Sequence, residues 1–138
     1  MAEPKAIDRE AEMLAAARAV RLRAHAPYSH FLVGAALLDE AGRIHVGCNV
    51  ENVAYPEGLC AEAGALARLV AEGGRRITAV VVVGEGATPL TPCGGCRQKL
   101  REFASDDLPV IAADDAAVLA RHTLGELLPA SFGPGHLK

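Results

Sequence analysis

Three cysteines, Cys60, Cys93 and Cys96, constrain this chain more than any other feature of its sequence. Cys93 and Cys96 form a C-x-x-C pair, and at the start of a helix this spacing points both sulfurs toward one spot, which suits a tetrahedral zinc ion. The same spacing also occurs in dithiol oxidoreductases of the thioredoxin type. Cys60 supplies a third thiol, which favours a metal. Three protein ligands leave the fourth position open, as catalytic zinc sites do.

Glu62 follows Cys60 by two residues and is the candidate acid–base residue. At the start of a helix its side chain leans toward the N-terminus and can reach the metal, where a carboxylate is suited to carry protons for a reacting water. The alternative is an acid that only favours the helix dipole. Because three thiolates leave a zinc site negatively charged, we expect compensation from two helix N-termini and from Arg97, hydrogen-bonded to a thiolate.

The composition excludes several classes of partner. A chain of 138 residues has the size of one domain, and we expect a single domain over residues 1–138. The net charge is −3 without a basic run, which indicates no nucleic-acid and no membrane partner. No apolar segment approaches the roughly 20 residues that span a bilayer. No signal peptide is visible, so we expect a cytoplasmic location, where cysteines stay reduced.

The apolar pattern predicts helices that alternate with strands after an initial hairpin, which is typical of an α/β layer with a mixed sheet. The strand expected over residues 77–84 is apolar throughout, as strands buried on both faces of a sheet are. Pro27 is expected to end the first helix. The predicted helices span residues 6–25, 60–72 and 93–104, with a short one within 123–129. The predicted strands span residues 31–38, 43–50, 77–84 and 108–112, with a weaker one at 116–121.

These residues together resemble a known family. Cys60-Ala61-Glu62 followed by Pro92-Cys93-Gly94-Gly95-Cys96 resembles the signature of zinc-dependent nucleoside deaminases, and Cys96-Arg97-Gln98 is similar to the small homotetrameric cytidine deaminases. The resemblance extends over nearly the whole chain, with its motifs in the family's order. The further matching segments are Pro27 to Leu37, Asn49-Val50-Glu51-Asn52, Leu128-Pro129 and Phe132-Gly133-Pro134.

The resemblance implies a three-layer αβα sandwich around a mixed five-stranded sheet. It implies hydrolytic deamination of cytidine and deoxycytidine, in which hydroxide at one zinc ion per chain attacks C4 and Glu62 is the proton shuttle. The three cysteines would be the zinc ligands, and a free nucleoside rather than a polynucleotide the substrate. The resemblance also implies a homotetramer that shares its active sites. Tyr55 would lie near the ribose across the interface, and Phe132 would reach the base from a neighbouring subunit.

The same resemblance assigns the other substrate-binding residues. Asn49 and Glu51 would bind the ribose hydroxyls, and as alternate residues at the end of a predicted strand they share one face. Phe31 would pack on the substrate. The backbone N–H of Ala61 would face the base.

The chain departs from the family pattern at Ala63, because many relatives have arginine directly after the Cys-Ala-Glu triplet. Charge compensation then depends more on Arg97 and the helix termini. The blasticidin-type deaminases also lack this arginine, so deamination of a modified cytosine nucleoside such as blasticidin S is the alternative activity. On the residues alone, a structural-zinc module and a dithiol oxidoreductase using Cys93 and Cys96 also stay open.

Overall fold

The computed structural model describes residues 7–138, and its strands lie where the apolar runs predict them. The helices are α1 (Glu10–Arg21), α2 (Ala61–Ala71), α3 (Gly94–Arg101) and α4 (Leu124–Leu127). The strands are β1 (Gly34–Asp39), β2 (Ile44–Cys48), β3 (Ile77–Val83), β4 (Pro109–Ala113) and β5 (Val118–Thr123). Short 3-10 turns occur at Tyr55–Glu57 and Pro134–His136. Residue 6, where the first helix was predicted to begin, lies outside the described residues.

Within this range the strands form one mixed sheet in the order β2-β1-β3-β4-β5. Strand β1 is antiparallel to both β2 and β3, whereas β3 and β4 are parallel and β5 is antiparallel to β4. The mixed five-stranded sheet is therefore confirmed, including its weakest predicted strand. The central position of β3 explains its continuous apolar run, because both faces of the strand are covered.

Two apolar cores, one on each face of the sheet, give the predicted three layers. On one face α1 packs on β1, β2 and β3, and its Met13 and Ala17 belong to an apolar cluster that also includes Ile111 of β4. On the other face α2 and α3 pack through residues such as Leu69 and Leu100. Helix α4 adds Leu124 to this second core. Within residues 7–138, no helix combines the length and the apolarity needed to cross a membrane.

Helix α2 lies directly on strand β2 at Gly47. A Cβ atom at this position would come within 2.4 Å of the Ala61 carbonyl oxygen and 2.4 Å of the Ala65 backbone nitrogen, far inside van der Waals contact. Only glycine leaves room for this approach. The contact fixes the first turn of α2, which follows Cys60, beside the end of β2, which precedes Asn49.

The prediction that the first helix extends to residue 25 and is ended by Pro27 is wrong, because α1 ends at Arg21. The chain then turns, and His25 pairs with the continuation of β2. Its N–H donates to the Asn49 carbonyl (3.0 Å), and its carbonyl accepts from the N–H of Glu51 (2.8 Å). Backbone groups that satisfy each other in this way cannot continue the helical ladder. The pairing brings the segment after His25 to the end of β2. The other predicted elements are present, with boundaries shifted by a few residues.

Candidate active site

The three cysteines meet where two helices begin. Cys60 is the N-cap residue of α2, Cys93 is the N-cap residue of α3, and Cys96 lies in the first turn of α3. Their Sγ atoms all lie within 4.8 Å of one another. The Cys60 and Cys93 Sγ atoms are 3.8 Å apart. The convergence predicted from the sequence is therefore present in the fold.

This donor set fits a zinc ion. With Zn–S bonds of about 2.3 Å, two sulfurs at tetrahedral positions lie about 3.8 Å apart, which matches the Cys60–Cys93 separation. Burial raises the pKa of the Cys96 thiol far above its usual value, and the charges of Glu62, Cys60 and Cys93 raise it further. A bound cation would offset this repulsion. Three ligands leave one tetrahedral position open, and the exposed Cys60 and Cys93 lie on the solvent side.

Glu62 lies beside this cluster in the first turn of α2 and is only 6% exposed. Burial raises the pKa of its carboxyl group, against the opposing effects of its own backbone N–H and the Lys99 ammonium. It borders the same hollow as Cys60 and Cys93. A buried carboxyl group in this position can hold a proton and release it to a bound molecule.

The hollow has a volume of about 400 Å³ and opens to solvent beside the cysteines. Its walls come from the segment before β1, the end of β2, the turn before α2 and the loop before α3. A hollow of this size is typical of small-molecule sites. Five of the predicted substrate-binding residues line it together with Glu62: Phe31, Asn49, Glu51, Tyr55 and Ala61.

Asn49 uses its side chain to hold the segment before β1. Its Oδ1 accepts a hydrogen bond from the N–H of Val33 (2.9 Å), and its Nδ2 donates to the Phe31 carbonyl (2.8 Å). A side-chain amide offers two donor hydrogens and two acceptor lone pairs. One of each therefore stays available to a molecule in the hollow.

Glu51 holds the neighbouring part of the same segment. Its Oε1 accepts from the N–H groups of Tyr28 (2.9 Å) and Ser29 (3.1 Å), and its Oε2 accepts from the Ser29 hydroxyl. The Ser29 hydroxyl, with these two N–H groups, holds the pKa of the Glu51 carboxyl below its usual value, so this residue is an anion at neutral pH. A carboxylate accepts about four hydrogen bonds, which leaves acceptor capacity for a ligand.

Arg97 differs from the prediction that it donates to a cysteine sulfur. Its Nε donates to the Pro92 carbonyl (2.6 Å), its Nη1 to the Leu127 carbonyl (2.7 Å) and its Nη2 to the Thr91 hydroxyl (2.9 Å). The Pro92 carbonyl and the Thr91 hydroxyl belong to the loop before α3, and the Leu127 carbonyl lies at the end of α4. The planar guanidinium donates a hydrogen bond to each of these three acceptors. Arg97 therefore joins the loop before Cys93 to the end of α4.

Phe132 lies outside the hollow of its own chain and is 57% exposed. Its ring stacks on His136 with 5.1 Å between the ring centroids, and its carbonyl accepts from Gln98 Nε2 (2.8 Å). Helix α3 thus carries two of the cysteines and also holds the segment of Phe132. A contact with the base in a neighbouring subunit stays a prediction.

Ser29 and Leu90 also contribute to the site, and neither was predicted to do so. Leu90 precedes α3 and lines the hollow as an apolar wall. The Ser29 hydroxyl accepts from the N–H of Phe31 (3.0 Å) while it donates to Glu51. A serine that precedes a turn and bonds the backbone two residues on is a recognisable local pattern, so Pro27-Tyr28-Ser29 carried a signal for this contact. Leu90 had no such signal.

Comparison with known proteins gives a consistent result. A family described as the cytidine and deoxycytidylate deaminase zinc-binding region matches residues 8–112. The matched region contains all three clustered cysteines and Glu62.

Individual proteins match over most of the chain. The cytidine deaminase of Sporosarcina psychrophila is 40% identical over 121 residues, which cover 88% of this chain and 89% of that protein. The cytidine deaminase of Mycobacterium tuberculosis is 46% identical over 110 residues, which cover 80% of this chain and 79% of that protein. The crystal structure of cytidine deaminase from Burkholderia pseudomallei is 41% identical with a TM-score of 0.83, and the match covers 88% of this chain and 98% of that one.

Proposed function

This chain belongs to the cytidine and deoxycytidylate deaminase family, and we propose that it hydrolyses cytidine and deoxycytidine to uridine and deoxyuridine with release of ammonia. It is a zinc-dependent hydrolase of that family. The observation that carries the proposal is the meeting of three cysteine sulfurs and the buried Glu62 in one hollow. The relatives named as cytidine deaminases favour this activity over deamination of blasticidin S.

Cys60, Cys93 and Cys96 hold the zinc ion in this proposal. The bound ion supplies a Lewis acid that makes water nucleophilic at neutral pH. Glu62 takes a proton from the water that attacks C4 of the base. It delivers this proton to N3, then takes the proton of the new C4 hydroxyl group and delivers it to the leaving amine, so that one water is consumed and one ammonia released. The buried position of its carboxyl group supports this role, because burial raises its pKa and so favours the protonated form that can donate to the base.

The other residues of the hollow bind and orient the nucleoside. Asn49 and Glu51 receive the ribose hydroxyls with the donor and acceptor capacity that their internal hydrogen bonds leave free. The ring of Phe31 packs on the substrate, and the Ala61 N–H faces the base. Among the described residues that line the hollow, none is lysine or arginine, which supports an unphosphorylated nucleoside rather than a nucleotide as substrate.

We also propose a homotetramer with shared active sites. Several apolar side chains near the hollow or on the C-terminal segment face solvent in the single chain, among them Tyr55 (74% exposed), Val53 (77% exposed) and Phe132. A group of exposed, large apolar side chains is typical of a surface that contacts another protein chain. In the assembly, Tyr55 lies near the ribose across an interface and Phe132 closes a neighbour's site over the base.

The single sheet with its two cores supports one domain as the functional unit. A cytoplasmic location suits the site, because reducing conditions keep the three thiols available for zinc.

The purified chain is expected to convert cytidine to uridine, because its three thiols and Glu62 supply a metal site with an adjacent proton carrier. A chelator should abolish turnover, and added zinc should restore it. The measurement is the loss of cytidine absorbance with and without chelator, with blasticidin S as a parallel substrate. Stoichiometric zinc without turnover of either would indicate a structural-zinc module. Faster turnover of blasticidin S would favour the alternative activity.

Phe132→Ala is expected to lower kcat/KM for cytidine about tenfold or more, because stacking of a base on an aromatic ring contributes about 1–3 kcal/mol. Co-assembly with Glu62→Gln subunits should recover activity, since some sites then combine an intact Glu62 with an intact neighbouring Phe132. Light scattering should give four times the mass of one chain for the wild type and both variants. Tetramers whose mixed form gains no activity would contradict the shared site.

A further inference from the structure

The segment from Ala26 to Phe31 forms a tight turn beside the hollow, which Phe31 lines. The N–H of His30 donates to the Ala26 carbonyl (3.0 Å), and His30 has a φ of 58°. A left-handed conformation is unfavourable at a residue other than glycine. Such a turn persists only where surrounding contacts over-determine it.

Ser29 lies at the centre of those contacts. Its hydroxyl donates to Glu51 Oε2 (2.5 Å) and accepts from the N–H of Phe31 (3.0 Å), while its own N–H donates to Glu51 Oε1 (3.1 Å). A hydroxyl has one hydrogen to donate. That hydrogen is committed to Glu51, so Ser29 joins the carboxylate at the end of β2 to the backbone that carries the Phe31 ring.

The hydrogen bonds of Ser29, Asn49 and Glu51 form one connected network around Phe31. Ser29 binds the N–H of Phe31, and Asn49 binds the carbonyl of the same residue. Asn49 and Glu51 reach this segment from alternate positions at the end of β2. These hydrogen bonds involve none of the cysteines and not Glu62.

We propose that Ser29 is a positioning residue for nucleoside binding, which holds the Glu51 carboxylate and the Phe31 backbone in the arrangement that receives the sugar. The proposal rests on the proposed function, in which Glu51 binds ribose hydroxyls. Ser29 lines the neighbouring hollow with Tyr28, Asn52 and Tyr55 rather than the catalytic one. It therefore acts through Glu51. Without the Ser29 hydroxyl, the Glu51 carboxylate loses one hydrogen-bond donor. Part of the binding free energy of the substrate must then be used to order the Glu51 side chain.

The Ser29→Ala variant is expected to raise KM for cytidine about tenfold and to leave kcat within about twofold, because hydrogen bonds to charged groups are the stronger ones. For 2′,3′-dideoxycytidine, which lacks the 2′- and 3′-hydroxyls, KM should rise less than for cytidine, because only the effect through the Phe31 backbone remains. Ser29→Thr should restore cytidine binding, because it returns the hydroxyl. Steady-state kinetics on both substrates give these values. Ser105→Ala is the matched control, since it removes a hydroxyl that also donates to a carboxylate, Asp107, outside the hollow.

A double-mutant cycle keeps the test decisive if Ser29→Ala also loosens the turn. In a Glu51→Gln background, Ser29→Ala should change KM less than in the wild type, because the two residues act as one unit. Equal increases of KM for cytidine and dideoxycytidine would overturn the proposal, as would additive effects in the cycle or an unchanged KM. A wild-type chain that does not turn over cytidine would instead reject the proposed function.

Discussion

The Glu62→Gln variant is expected to lose about 1000-fold or more in kcat while it keeps one zinc ion per chain. Glutamine preserves the shape of the side chain but cannot take a proton from water or deliver one to the base. A positioned acid–base group contributes about 10²–10⁴ to the rate. In the proposed reaction Glu62 makes several proton transfers in one turnover. The decrease in kcat should therefore lie in the upper part of that range. The measurements are kcat for cytidine and zinc content by elemental analysis.

The folded state should tolerate this substitution. Burial raises the pKa of Glu62, which means that its charged form is not stabilised by the fold. The midpoint of thermal unfolding should therefore not fall in Glu62→Gln. Glu102→Gln, which changes an exposed carboxylate at the end of α3, is the control and should retain full activity. A Glu62→Gln variant with full zinc and more than about a tenth of wild-type kcat would contradict the assignment of Glu62 as the proton carrier.

The metal centre was predictable because its geometry is mostly local. Cys93 and Cys96 are one helical turn apart, and Cys60 and Glu62 share the start of a second helix. At the start of a helix, side chains lean toward the N-terminus and the free backbone N–H groups point the same way. This local geometry does not depend on the rest of the chain. The tertiary fold had only to bring two helix starts together. The approach of α2 to β2 at Gly47 is part of how it does so.

The partners of Arg97 were not predictable from its neighbours in sequence. Its position beside Cys96 indicated a thiolate contact, but one of its acceptors is the carbonyl of Leu127. That carbonyl becomes available only where α4 ends in the folded chain. With Arg97 engaged elsewhere and Ala63 where many relatives have arginine, we expect the positive charge near the thiolates to come mainly from two helix N-termini. The Lys99 ammonium adds to it, since its charge lowers the pKa of Glu62.

The wall of the hollow formed by Asn49 and Glu51 was predictable in part. Alternation along a strand put Asn49 and Glu51 on one face, and the structure brings both to the hollow. Their hydrogen bonds to the turn around Ser29 were not visible, because that turn forms only after α1 ends early and His25 pairs with β2. The predicted position of Phe132 over a base would depend on a second chain. A single chain cannot supply that surface, so its contact rests on the family resemblance.

The Cys93→Ser variant is expected to bind zinc at least about 100-fold more weakly than the wild type and to lose activity in step with its metal. Changing a group that merely supports a metal ligand costs 10–100-fold in affinity, so removal of a ligand should cost no less. Serine is a favourable N-cap residue, so the start of α3 should persist. The dissociation constant is measured by competition with a chromogenic chelator. Thermal unfolding gives a second measurement, because chelator should lower the unfolding midpoint of the wild type but not that of the variant.

Cys48→Ser provides the matched control, because Cys48 lies on β2 and is not part of the cysteine cluster. It should bind zinc and deaminate cytidine as the wild type does. A Cys93→Ser chain with wild-type zinc affinity would remove Cys93 from the ligand set.

Zinc-free wild-type protein that forms a Cys93–Cys96 disulfide and reduces a test disulfide would favour the dithiol oxidoreductase instead. In the zinc site all three sulfurs hold one ion, so a single change at Cys60, Cys93 or Cys96 should release it. In a dithiol enzyme Cys60→Ser would leave the redox pair intact, and the response of Cys60 therefore separates the two chemistries.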